Sequence, residues 1–147
     1  MGHEDAGHYA IKHQNRNMNP KISESLAQEA VSGTANRTIT CEKIHYVAQN
    51  LGVKPKEAGI QADLMELRLK DCQLGLFGYE PDGKNFNKNI KVSELLTAEI
   101  KDIAPDGRTT CIKCWEVASR LNIERIDVGS ACEKMGIKIK HCQLGAF

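Results

Sequence analysis

Residues 72–77 read Cys-Gln-Leu-Gly-Leu-Phe, and residues 142–147 read Cys-Gln-Leu-Gly-Ala-Phe. The two copies stand 70 positions apart, and sliding the chain by that offset aligns residues 21–77 with 91–147 without a gap. The slide gives 19 identities in 57 pairs. They run through the whole span: Leu26 with Leu96, Glu29 with Glu99, Thr40-Cys41 with Thr110-Cys111. Further on come Val47-Ala48 with Val117-Ala118, Gly59 with Gly129, and Met65 with Met135. A tandem duplication follows, and each copy is expected to be one structural unit. So small a unit buries a modest share of its surface, so the two are expected to pack on each other as a pseudo-dimer.

Upstream of the repeated ending, each copy carries the same order of signals. In the first copy, Ile22, Leu26 and Ala30 recur at helical spacing and predict a helix from Lys21 to Val31, ended by Ser32, Gly33 and Asn36. Thr38-Ile39-Thr40 is β-branched and reads as a short extended piece. Thr40 is placed to cap a second helix, since its hydroxyl can accept an orphan backbone N–H. Ile44, Val47, Ala48 and Leu51 give that helix its apolar face. Gly52 ends it, and Pro55, with no N–H to lose, opens a third helix running to about Met65. Leu67-Arg68-Leu69-Lys70 alternates as a half-buried strand does, and Gly75 should then turn the chain so that Leu74 and Phe77 pack back. The second copy predicts helices from Val92 to about Ile103, from Cys111 to Leu121 and within 124–135, with a strand within 137–140.

Four segments result: a flexible arm over 1–20, a first unit over 21–78, a linker over 79–90 marked by Pro81-Asp82-Gly83, and a second unit over 91–147. The fold class is mainly α with short β. No apolar run is long enough to span a membrane, and the polar start is no secretory signal, which makes the cytoplasm the expected location. Lys and Arg number 20 against 19 Asp and Glu, for a net charge of +1. A strongly basic footprint, the usual first sign of a nucleic-acid partner, is absent.

With a leading helix, a helix-turn-helix over Ile44–Ile60 and a following basic strand, each unit resembles the winged-helix modules of bacterial and archaeal transcription regulators. The resemblance is carried by Ala48, Leu51-Gly52-Val53 and Ala58-Gly59, and in the second unit by Ala118, Leu121-Asn122-Ile123 and Val128-Gly129. It implies two tandem winged-helix-like units and a DNA-binding transcriptional regulator that meets double-stranded DNA with the outward face of its third helix. The positions so implied include Lys54, Lys56 and Ile60, and Arg125 and Ser130. Asp63, Glu124 and Glu133 fall among them, and carboxylates repel phosphates. Phosphate contact is therefore expected also from Arg68, Lys70, Lys138 and Lys140, which point outward if Leu69 and Ile139 point in. The alternative is a protein-interaction or adaptor module, which an apolar patch around Ile60 and Leu64 would favour.

Six cysteines give a second alternative, a metal- or redox-responsive module. Cys114 and Cys132 stand opposite Ile44 and Ala62 in the repeat, so they read as packing, and Cys111-x-x-Cys114 loses its force as a zinc motif. Cys41, Cys72, Cys111 and Cys142 occur in both copies and could hold zinc or iron if the strand ends fold back on the second helices. Packing is the favoured reading of these four, with no cofactor. His3, His8 and His13 sit five apart, on no common face of a helix or strand. No phosphate-cradling glycine loop and no nucleophile–base constellation is evident, so an enzyme is not expected.

Overall fold

A computed structural model describes residues 9–13, 16–32 and 37–147. His3, His8, Gly33 and Asn36 lie outside the described residues. The described chain is mainly helical, with short strands. Helices α1 (Pro20–Glu29), α2 (Cys41–Leu51) and α3 (Pro55–Leu64) are followed by α4 (Glu94–Ile103), α5 (Cys111–Leu121) and α6 (Arg125–Met135). The strands are β1 (Val31–Ser32), β2 (Arg37–Thr40), β3 (Arg68–Lys70), β4 (Arg108–Thr110) and β5 (Lys138–Lys140).

The local signals act as the sequence suggests. Asn19 caps α1, Thr40 caps α2 and Thr110 caps α5, each side chain accepting from backbone N–H groups of the first turn. Gly52 ends α2 in the left-handed region at φ 66°, and Asn122 ends α5 there at φ 52°. Asparagine is the non-glycine residue that best tolerates this conformation. Pro55 opens α3. The strand before the second helix pairs in parallel with the strand after the third. Thr38 lies opposite Arg68 and Thr40 opposite Lys70; Arg108 lies opposite Lys138 and Thr110 opposite Lys140. Two parallel strands need a crossover, and the pair α2–α3 or α5–α6 supplies it. Strand β1, which the sequence reading gives to the end of the first helix, adds an antiparallel edge to β2.

The compact units do not follow the repeat boundaries. Unit 1 comprises Met1–Cys72 and Gln143–Ala146; unit 2 comprises Gln73–Cys142 and Phe147. The core of unit 1 is built from Ile22, Leu26, Ile39, Ile44, Val47, Ala58 and Leu67, with Leu144 buried beside them. That of unit 2 is built from Leu96, Ile100, Cys114, Val117, Val128 and Cys132, with Leu74 buried among them. Each repeated Cys-Gln-Leu-Gly loop thus completes the unit founded by the other copy. The expectation that Leu74 packs back on its own copy is corrected here: the seat it fills is on α6, and the matching seat on α3 is filled by Leu144.

Candidate functional site

The third helix of each unit is where the sequence places a DNA-reading surface, and it is enclosed. Ala58 through Ala62 are all buried on α3, together with Asp63; Val128 through Cys132 are all buried on α6. A helix buried around so much of its girth shows no apolar stripe, and here small residues let neighbours close in from several sides. Three groups of neighbours account for this.

One side of α3 faces the core through Ala58 and Ala62. A second side receives the loop. A Cβ added at Gly59 would collide with the Leu144 carbonyl, lying 2.8 Å from its carbon and 3.0 Å from the Leu144 Cα. Gly129 stands in the same relation to Leu74, with the carbonyl carbon at 2.8 Å and the Leu74 Cβ at 3.1 Å. These two glycines, identical in the repeat, are therefore seats for a backbone carbonyl, which only a residue without a side chain permits. The seat on α3 is walled by Ile44, Ala62, Leu67, Leu69, Leu144 and Ala146 and leaves about 10 Å³ empty.

The third side is covered by the residues before α1. The Gln61 side chain, 2% exposed, accepts from Asn19 N–H at 2.8 Å and donates to the Asn17 carbonyl at 3.3 Å. His13 Nε2 meets Asp63 Oδ2 at 2.9 Å. The Glu66 carboxylate accepts from the Tyr9 and Ala10 N–H groups at 3.2 and 3.1 Å, and Tyr9 is buried. The expected flexible arm is, over residues 9–13 and 16–19, a strap on α3. In unit 2 the expected linker does the same to α6. Asn87 N–H donates to Ser130 Oγ at 2.7 Å, and Lys134 Nζ donates to the Ile90 carbonyl at 3.1 Å. The strap borders a groove of about 640 Å³, lined among others by Lys84, Phe86, Asn87, Ser130, Glu133 and Lys134. The signal for this was in the sequence: at the same offset of 70, Tyr9 matches Tyr79, Asn17 matches Asn87 and Asn19 matches Asn89. The repeat therefore extends upstream of Lys21, and arm and linker are one element used twice.

Two DNA-contact candidates are therefore corrected. Ile60 is 5% and Ser130 2% exposed, and the Ser130 hydroxyl is spent on Asn87 and on the Ile126 carbonyl, to which it donates at 2.7 Å. Neither offers a surface to a duplex, and Ile60 is too deeply buried to centre an apolar patch. Lys54 and Lys56 are exposed before and within the first turn of α3. Arg125 is exposed at the start of α6, its guanidinium 3.5 Å from the centre of the Trp115 ring and hydrogen-bonded to Gln73. The strand candidates gather by register. Lys138 and Lys140 are exposed, with Ile139 half-buried between them, and Arg108 stands opposite Lys138 on β4. Arg68 and Lys70 are half-buried on the matching face of β3, with Leu69 buried between them. Arg108 was missed because its strand partner is 30 residues away in the chain.

Cys41, Cys72 and Cys111 are buried thiols and Cys142 is half-buried. Strand pairing brings the start of α2 beside the end of β3; in unit 2 the Cys111 N–H donates to the His141 carbonyl at 3.4 Å. Among the described residues no group of three or more His, Cys, Asp or Glu is placed to hold a metal ion. Cys114 and Cys132 are fully buried and share a side-chain hydrogen bond, which holds the Cys132 thiol below its ordinary pKa against the opposing effect of burial. Among the described residues no helix is long and apolar enough to cross a membrane. No protein-family model, curated protein or solved structure matches the chain.

Proposed function

We propose that the chain is a non-enzymatic DNA-binding regulator, built from two winged-helix-like units, that meets duplex phosphates with its strands rather than with the enclosed faces of its third helices. The observation that carries this reading is the repeated basic strand face: Arg68 and Lys70 in one unit, Lys138 and Lys140 beside Arg108 in the other. Parallel pairing with a buried or half-buried central residue sets alternate side chains on the face away from the core. Lys54 and Lys56 add positive charge at the N-terminus of α3, where the helix dipole also favours an anion. Phosphate contacts of this kind position a protein on a duplex without reading bases, so the expected binding is weak in sequence preference.

The test is titration with duplex DNA at about 50 mM and about 200 mM salt, where phosphate-dominated binding falls steeply. Replacing Lys138 and Lys140 with Glu should weaken binding to all duplexes alike and flatten the salt dependence by roughly one unit of log–log slope per lost phosphate contact. Absence of binding to any duplex at low salt overturns the reading.

A protein-interaction module is the second reading. It is favoured by the enclosure of α3 and α6 and by the exposure of Leu95 at 61% and Ile112 at 47%. Recovery of a stoichiometric protein partner, lost on Leu95→Asp and retained on the strand substitutions, selects it over the first.

A further inference from the structure

We infer that the seat at Gly59 is a docking site for the Leu144 loop of a second copy of this chain, so that copies associate by exchanging loops. The occupant follows from what the seat already holds. Leu144 belongs to the second repeat, yet its tip, Gln143–Ala146, is part of unit 1. Leu74 belongs to the first repeat and fills the seat at Gly129 in unit 2. In neither case does a repeat seat its own loop. The contact is by nature one between two copies of the repeat, and in this chain both copies happen to share a backbone.

The chemistry of the seat does not distinguish a loop from the same chain and one from another. It recognises a leucine side chain, buried to 2% exposure, and a backbone carbonyl against a residue without Cβ. The loop is also preformed. Cys142 N–H donates to the Phe147 carbonyl at 3.0 Å, closing residues 142–147 on themselves. The Phe147 ring packs edge-on against Phe77 with centroids 6.0 Å apart. A preformed loop is ordered before it docks and loses little entropy on binding. Among the described residues no strand pairing involves 143–147, so withdrawing the tip from one copy and inserting it in another unpairs no sheet. The intramolecular arrangement is favoured by effective concentration, on the order of millimolar for tethered groups.

The experiment uses two full-length variants. Leu144→Ala keeps the seat and spoils the loop. Gly59→Ala keeps the loop and blocks the seat. Mixed in equal amounts, the second should donate its loop to the first. Sedimentation should then show a species of twice the 16.3 kDa chain mass in the mixture and in neither variant alone. The synthetic peptide Cys-Gln-Leu-Gly-Ala-Phe in excess should dissolve it, and the same peptide with Ala for Leu should not. A mixture that sediments as the sum of its parts overturns the inference. If either variant is unfolded, the intact chain decides. Refolded from urea at about millimolar concentration, it should yield a dimer that the peptide dissolves; refolding to monomer only, or to a dimer indifferent to the peptide, overturns the inference.

Discussion

A methyl group at Gly59 is the smallest change that tests the loop and its seat. Alanine is favoured over glycine inside a helix by about 1 kcal/mol. Here the new Cβ meets backbone of Leu144, which cannot rotate aside. Overpacking against backbone costs about 1–3 kcal/mol, so Gly59→Ala should destabilise unit 1 in spite of propensity. Gly52 is the control. It has φ 66°, and nothing lies within 4 Å of the place a Cβ would take, so Gly52→Ala carries only left-handed strain of about 1 kcal/mol. Gly52→Asn, the residue the second copy uses as Asn122, should cost less. Urea unfolding midpoints rank the three, and a Gly59→Ala protein as stable as the parent removes the clash argument. Cys114 and Cys132 give a second prediction. The first copy fills the matching positions with Ile44 and Ala62. Cys114→Ile alone should overpack, and Cys132→Ala alone should leave a void. Together they should compensate, with a coupling of about 1 kcal/mol in a double-mutant cycle. Effects that add within about 0.3 kcal/mol would show that the two sites do not share space.

At the scale of elements, the strap on the third helix is held by different side chains in the two units. Gln61 clasps Asn17 and Asn19 on α3; at the position after Ser130 on α6 stands Ala131, and Ser130 clasps Asn87 instead. Gln61→Ala should leave two strap groups without their protein partner and cost about 1–3 kcal/mol, more than Lys56→Ala on the same helix. Hydrogen exchange should show the loss as faster exchange at Asn19, with α6 unaffected. Protection at Asn19 unchanged by Gln61→Ala would mean that the clasp does not hold the strap. The ion pairs joining the first and second helices contrast with this. Glu29 pairs with Lys43 at 3.0 Å and Glu99 with Arg120 at 2.8 Å. The hydrogen bond that Lys43 donates to Glu29 raises the Lys43 pKa, but a solvent-exposed pair contributes little to stability, so Lys43→Ala should be nearly silent.

At the scale of the whole molecule, a change in one copy should be felt in the unit founded by the other. Trp115 is the chain's single tryptophan and belongs to unit 2. Leu74 lies in the first repeat but is buried in unit 2, and truncating a buried leucine costs about 2–5 kcal/mol. Leu74→Ala should therefore lower the urea midpoint read by tryptophan fluorescence more than Leu144→Ala does. The reverse order would mean that each loop serves its own copy.

The sequence by itself determined the duplication, helices α1 to α6, the ends of α2 at Thr40 and Gly52, and strands β2, β3 and β5, but not β1 or β4. These rest on local causes: periodic apolar residues, Thr40 and Thr110 at helix starts, Gly52 and Asn122 at left-handed ends. The alternation of Leu67-Arg68-Leu69-Lys70 likewise foretold which strand residues face out. The full length of the repeat was also legible, in the matched Tyr9 and Tyr79 and the matched asparagines, though few identities mark it. Tertiary structure alone decided that α3 and α6 are enclosed and that the loops serve opposite copies. Gly59 in the sequence is only a weak helix residue, and Leu144 only an apolar one. Nothing local tells a loop which of two equivalent seats it will fill, because the seats are duplicates. That choice is made by the path of the chain between them and by the packing it permits, and so is the fate of Ser130, whose hydroxyl bonds a strap residue 43 positions away.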